Sequence, residues 1–219
     1  MSSENSQPEA KRIAALFADL GVVLVHFIGE STGVGSAVTD DLSPIEAAQR
    51  VVDTKCEVSC STVSKGDNRA RNNYFGSIGL ILDPIDRSNI THCGSADGGT
   101  KGPESGSTVR TGTNGLNSEE DIKSAVIGRA TQAHNEICAK GYRVIGIFHE
   151  GAKPVTLQFS RKNGTREFSY SYLDFVKSLG ELPLYAWNGS QFMRLEFHSS
   201  ANGIGISNAI PVEISNVYT

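Results

Sequence analysis

The stretch that decides the fold covers residues 142–151 and reads Tyr-Arg-Val-Ile-Gly-Ile-Phe-His-Glu-Gly. Its apolar run is rich in β-branched residues and too short for a core helix, which is typical of a strand buried on both faces. The run ends on a histidine, His149. The sequence therefore predicts a central strand, 142–148, with a polar side chain at its end.

Further strands and turns lie on both sides of this stretch. Residues 74–82 predict another buried strand, ended by Pro84. Asn163-Gly164 and Asn188-Gly189 each separate two apolar runs, and Asn-Gly supplies the positive-φ turn of a β-hairpin. The tail after Gly203 predicts one more strand. Strands mixed with helices in this way predict an α/β or α+β fold, a mixed β-sheet flanked by helices with two added hairpins.

Helix signals are clearest at three places. Ser43 precedes Pro44, which suits a helix N-cap followed by the first helical position. A second helix is predicted over 118–140, with Gly141 as its stop, and a third over about 171–179. The apolar stripe predicted for the second helix is Ile122, Val126, Ala130, Ala133 and Ile137.

The remaining segments predict loops and set the domain boundaries. Residues 60–72 are polar, and residues 85–117 contain seven glycines with little periodicity, which favours a long loop. Residues 1–40 combine one helical pattern with a glycine-rich stretch. We therefore expect an N-terminal extension over 1–40, and one main domain over 41–219.

Composition narrows the class of protein. The net charge is −4, so there is no overall basic footprint for nucleic acid. No apolar run approaches the length of a membrane span. The polar N-terminus lacks a signal-peptide pattern. This predicts a cytoplasmic protein, compatible with export that needs no signal peptide, and favours four reduced cysteines.

The order of five sequence pieces resembles the JAB/MPN metallopeptidase fold, in particular the JAB-like domain of unknown function associated with bacterial polymorphic toxins. No single piece is specific, and their order carries the resemblance. The pieces are Ser43-Pro-Ile-Glu-Ala-Ala, Asn73-Tyr-Phe-Gly, Tyr142-Arg-Val-Ile-Gly-Ile-Phe-His, Ser171-Tyr-Leu-Asp and Leu182-Pro-Leu-Tyr.

The resemblance implies a zinc site of two histidines and an aspartate, with a glutamate base and a serine that binds an oxyanion. His149, Asp174 and Ser171 match three of these positions. The second histidine is replaced by Gly151, and the acidic base by Asn73. A catalytic zinc normally has three protein ligands. The resemblance therefore implies a degenerate site without a cofactor, or zinc only if the ligand set is rebuilt.

A rebuilt site has few candidates. The predicted metal ligands are His149, Asp174 and His134, and the predicted catalytic residues are Ser171 and Glu150. Each has a simpler interpretation. Glu150 follows His149 on a strand and so points to the opposite face. Ser171 and Asp174 also fit a helix cap. In the glycine-rich loop, His92 could approach the site.

Two functions follow as hypotheses. The first is a catalytically degenerate, protein-binding module of a bacterial toxin or secretion system, whose exposed apolar patch comes from Tyr185, Trp187 and Phe192. The alternative is a zinc-dependent peptidase or isopeptidase. A thiol nucleophile at Cys93, beside His92, is a further idea that rests on composition alone. A protein partner is expected, with no nucleic acid and no membrane span.

Overall fold

The structure is a computed structural model that describes residues 13–28, 43–64, 78–94, 118–128, 135–150, 156–160, 167–180, 182–200 and 203–219. The helices in these ranges are α1 (Ile13–Asp19), α2 (Pro44–Thr54), α3 (Glu119–Gly128) and α4 (Tyr172–Ser178). The strands are β1 (Val22–Phe27), β2 (Val58–Ser64), β3 (Ile78–Pro84), β4 (Ile90–Gly94), β5 (Glu136–Ala139), β6 (Tyr142–Glu150), β7 (Thr156–Ser160), β8 (Glu167–Ser171), β9 (Leu184–Trp187), β10 (Phe192–Ser200) and β11 (Gly203–Val212).

Nine of the strands form one sheet in the order β11-β10-β9-β6-β3-β1-β2-β5-β4, and β7 pairs with β8 separately. Every pair in the large sheet is antiparallel except β6 with β9, which is parallel. The fold is thus α+β with a mixed, largely antiparallel sheet, the coarser form of the predicted class. None of the helices described is long and apolar enough to cross a membrane.

Strand β1 belongs to the middle of this sheet, between β3 and β2. Its first four residues are buried, and Phe17 of α1 has no exposed surface. Residues 13–28, which fall within the predicted N-terminal extension, are therefore integral to the main sheet. The physical reason is the apolar run from Val22, which the sheet buries on both faces.

Close packing of β1 on β3 depends on a glycine. A Cβ at Gly79 would lie 2.6 Å from the Val25 side chain and 2.7 Å from the carbonyl oxygen of His26. Neither distance is compatible with a normal nonbonded contact. Gly79 therefore allows the two strands to pair through Phe27.

The predicted helix over 118–140 is wrong in its last part. Helix α3 ends at Gly128, residues 129–134 lie outside the described ranges, and 136–139 form strand β5. In β5 half-buried and buried residues alternate, the period of a strand with one face in the core. The stripe residue Ile137 is buried by this strand rather than by a helix.

Two predicted loops also contain strands. Strand β2 occupies 58–64, although Ser61 and Thr62 are polar, because Asn135 satisfies both. The Asn135 side-chain oxygen accepts from the Ser61 hydroxyl at 3.0 Å and from the Thr62 amide at 2.9 Å. The predicted loop over 85–117 includes a short 3-10 helix, Arg87–Asn89, and then β4.

Local signals elsewhere are confirmed. Ser43 caps α2, with its side chain accepting from the Glu46 amide while the Glu46 carboxylate accepts from the Ser43 amide. At the second Asn-Gly turn, Gly189 has φ +92°, and the Asn188 side chain accepts from the Gln191 amide at 3.0 Å. The strand pairs of both predicted hairpins and the strand after Gly203 are present, whereas the Asn163-Gly164 turn lies outside the described residues.

Candidate functional site

The predicted strand-end histidine lies inside the sheet. His149 is the penultimate residue of β6, opposite Ile78 of β3 and Ala186 of β9, and only 3% of it is exposed. Glu150 follows it, is half-buried and stands opposite Trp187. Because successive strand residues point to opposite faces, the two side chains do not share a side of the sheet.

The predicted serine and aspartate lie at the junction of β8 and α4. Ser171 is the last residue of β8, paired with Thr156, and the helix begins at Tyr172. Asp174 is in the first turn and half-buried. Phe175 of the same helix is fully buried. The helix start predicted from Ser-x-x-Asp is therefore present, within one residue.

The predicted metal ligands are only partly within the described structure. His134 lies outside it, and so do Asn73 and Gly151, the two positions at which the residues of the family are replaced. Among the residues that are described, no group of three or more histidine, cysteine, aspartate or glutamate side chains is arranged to hold a metal ion. The zinc set of His149, Asp174 and His134 stays a prediction.

The aromatic patch expected on the surface is in the core. Tyr185, Trp187 and Phe192 are 5%, 1% and 1% exposed. The rings of Trp187 and Phe192 are 4.8 Å apart, and Phe192 also packs edge-on against Phe148. The prediction of an exposed patch is wrong because Trp187 and Phe192 lie opposite each other on β9 and β10 and, with Tyr185, belong to the hydrophobic core.

A polar cluster that sequence reasoning missed lies on β2, β5 and β4. Cys138 of β5 is directly opposite Ser59 of β2 and His92 of β4, and Glu136 lies two residues before it. Paired residues on neighbouring strands share a face, as do residues two apart on one strand. We call Ser59, His92, Glu136 and Cys138 the Cys138 cluster.

The carboxylate of Glu136 is at the centre of the Cys138 cluster. One oxygen accepts from the Ser59 hydroxyl at 3.1 Å and from the Cys138 thiol at 3.8 Å. The other lies 3.8 Å from Nε2 of His92. The His92 and Glu136 side chains are 18% and 17% exposed, so the cluster is sheltered but reaches the surface.

The three cysteines in the sheet lie on two different faces. Cys60 and Cys93 are buried and both stand opposite Ile137, on the two sides of β5. Burial, followed by the proximity of Cys138 and Glu136, raises the pKa of the Cys60 thiol. None of the four cysteines forms a disulfide among the described residues. Cys93 and His92 are adjacent residues of β4 and so face opposite sides of the sheet, which does not favour the thiol nucleophile considered for Cys93.

Among the described strands, one edge strand of the large sheet is long and contains no charged residue. Strand β11 has ten residues, Gly-Ile-Gly-Ile-Ser-Asn-Ala-Ile-Pro-Val, and pairs with β10. Residues 207–211 are exposed, including Ile210 at 39%. Proteins usually protect a sheet edge with lysines, prolines or a short strand. In β11 the protective features are Pro211, next to the end of the strand, and a bulge at Ser207, where the register with β10 shifts.

The fold and these features define an α+β protein with an uncharged sheet edge and a polar cluster on the opposite end of the sheet. The chain has no significant match to a protein-family model, a curated protein or a solved structure.

Proposed function

We propose that this protein is a protein-binding module that accepts an extended segment of a partner protein along the outer edge of β11. An edge strand presents a row of backbone N–H and C=O groups to any strand that pairs with it. Main-chain hydrogen bonds then give affinity, while alternate side chains give specificity. The observation that carries the proposal is the ten-residue, uncharged β11 edge.

The end of the β10–β11 hairpin has no third strand beside it among the described strands, and this favours the binding of a partner strand. The pairing of β9 with β10 runs from Phe192 to Leu195 and ends there. Residues 196–200 therefore pair with β11 alone among the described strands. A two-stranded ribbon in water is only marginally stable, whereas a third strand supports it. A partner strand on β11 would therefore complete a three-stranded segment there.

The side chains along this edge favour an uncharged, apolar partner segment. Ile206 is half-buried and Ile210 is 39% exposed. Because the register shifts between them, Ile206 lies opposite Phe197 and Ile210 lies opposite Arg194, so the two isoleucines are on different faces. Strand β11 contains no charged residue that would favour an acidic or a basic partner. The partner class is thus an extended, uncharged segment with apolar side chains.

The family part of the proposal is a catalytically degenerate JAB/MPN-like domain of a bacterial toxin or secretion system. It is supported by the sequence pieces that carry the resemblance, by Gly151 at the second histidine position and by Asn73 at the acidic position. A binding role needs neither of the residues that are replaced.

Selection of peptides from a random library displayed on phage tests the proposal. The double variant Ser207→Lys with Ala209→Lys adds two charges to the edge strand, and both positions are exposed. The matched control is Ser215→Lys with Asn216→Lys, which adds the same charge at exposed positions outside β11. Selected peptides should bind the control variant like the original protein and lose at least about tenfold in affinity for the β11 variant. Equal binding to all three proteins would overturn strand addition at this edge.

A further inference from the structure

We infer that Cys138 is a reactive thiol, and that the Cys138 cluster is a site for thiol–disulfide exchange with small disulfides. The thiol is half-buried and stands directly opposite His92 across the β4–β5 pair. Side chains in such a pair have Cβ atoms about 5 Å apart. A thiol, an imidazole and a carboxylate therefore meet on one accessible face of the sheet.

The Glu136 carboxylate connects the thiol to the imidazole. Its first oxygen accepts from Cys138 at 3.8 Å, and its second lies 3.8 Å from His92 Nε2. The thiolate is the reacting species of a cysteine, so a nearby base that takes the thiol proton speeds its reactions. Glu136 contacts both groups, since it accepts from the thiol and lies beside the imidazole, and it stabilises the imidazolium that forms, which makes Glu136 a positioning residue.

The Ser59 hydroxyl fixes the carboxylate. It donates to the same Glu136 oxygen at 3.1 Å, from the strand on the other side of β5. The backbone carbonyl of Ser59 in turn accepts from Nδ1 of His26 at 2.8 Å. Contacts from β2 and β4 thus converge on β5, and β1 in turn supports β2, so the cluster rests on neighbouring strands rather than on a loop.

The exchange step balances without any added oxidant other than the disulfide itself. The Cys138 thiol gives its proton to His92, and the thiolate sulfur attacks one sulfur of a small disulfide. The new sulfur–sulfur bond forms as the old one breaks, and the departing thiolate takes the proton from the imidazolium. The products are a mixed disulfide on Cys138 and one equivalent of free small thiol.

Cys56 is an internal reference for this chemistry. It is also half-buried and free, but it lies in the segment after α2, outside the Cys138 cluster. Cys60 and Cys93 are buried and should react slowly in the folded protein. The intact chain therefore carries its own controls for exposure and for global unfolding.

The experiment reacts the folded protein with the neutral disulfide dithiodipyridine and measures the modification of each cysteine over time by peptide mass spectrometry. Cys138 should react at least about tenfold faster than Cys56, and His92→Gln should remove most of this difference. His198→Gln, at an exposed position of β10, is the matched control and should change nothing.

Two results would overturn the inference. The first is a Cys138 rate equal to or below that of Cys56 in the original protein, which does not depend on any variant folding. The second is an unchanged Cys138 rate in a folded His92→Gln protein. Neither result bears on the β11 edge, which lies at the other end of the sheet.

Discussion

The backbone N–H of Leu24 donates a hydrogen bond of 2.9 Å to the hydroxyl of Tyr218, across 194 positions of sequence. The pairing of β1 with β3 begins only at Val25, so the tyrosine supplies an acceptor that the strand ladder does not. Tyr218 is buried and stacks on Phe17 with ring centres 6.4 Å apart. The end of the described chain is thereby fixed to its first helix and first strand.

Removing this hydroxyl tests whether residues 13–28 are integral to the fold. Tyr218→Phe leaves the buried Leu24 amide without its acceptor, so the free energy of unfolding should fall by about 1–3 kcal/mol. Urea denaturation measures this change. Tyr185→Phe is the control, because no hydrogen bond of the Tyr185 hydroxyl is formed with the described residues. An equal, small effect of both substitutions would contradict the role given to Tyr218.

The pH dependence of stability should include a contribution from His26. Burial lowers the pKa of His26 from its ordinary value of 6.5, although its hydrogen bond to the Ser59 carbonyl opposes the shift. A lowered pKa means that the folded state binds the proton less well than the unfolded state. The stabilisation is therefore present above pH 6.5 and is lost as the pH falls through that value towards the lowered pKa.

Denaturation curves between about pH 7 and pH 5 measure this effect. The original protein should lose stability as the pH falls, and His26→Gln should show a flatter dependence over the same range. His198→Gln, at an exposed position, should keep the original dependence. A dependence that is unchanged in His26→Gln would assign the loss of stability to other groups.

The difference between what could and could not be predicted from the sequence follows the range of the interactions. Asn188-Gly189 and Ser43-Pro44 set the backbone within a few residues, so the second hairpin and α2 were predicted. Strand β2 was missed because Ser61 and Thr62 look polar until Asn135, distant in sequence, satisfies them. Glu136 to Ala139 followed a helical pattern closely enough to be assigned to a helix.

The functional sites show the same contrast between local sequence signals and contacts that are distant in sequence. The Cys138 cluster requires β2, β4 and β5 to be neighbours, and no local pattern around His92 or Ser59 indicates that order. The burial of Trp187 likewise depends on its packing against Phe192 across the pairing of β9 with β10. By contrast, the lack of charge in β11 can be read directly from residues 203–212, but its importance appears only when the strand is found at an edge.

Zinc analysis tests the family part of the proposal. A degenerate site should yield far less than one zinc per chain in the purified protein, with the same amount in His149→Ala, because catalytic zinc needs three protein ligands. Elemental analysis after incubation with zinc and dialysis gives the measurement. Near-stoichiometric zinc that is lost in His149→Ala would instead support a rebuilt site, and peptide and isopeptide hydrolysis should then be assayed.

The β10–β11 ribbon should respond to a partner strand through its own stability. Residues 196–200 and 203–206 form the part that β9 does not support. Their amides should exchange hydrogen rapidly in the free protein, because two-stranded segments open easily. Exchange measured by mass spectrometry should be faster there than in β3, whose residues are all buried. Protection equal to that of β3 would contradict the claim that this part of the ribbon needs a partner strand for stability.

The most direct test of strand addition is hydrogen exchange of the protein with and without a saturating peptide chosen in the phage selection. When the peptide is bound, we expect hydrogen exchange to slow along residues 203–212, which form β11. Exchange should not change in β4, the edge strand at the other end of the sheet. Protection that falls elsewhere and leaves β11 unchanged would contradict the account.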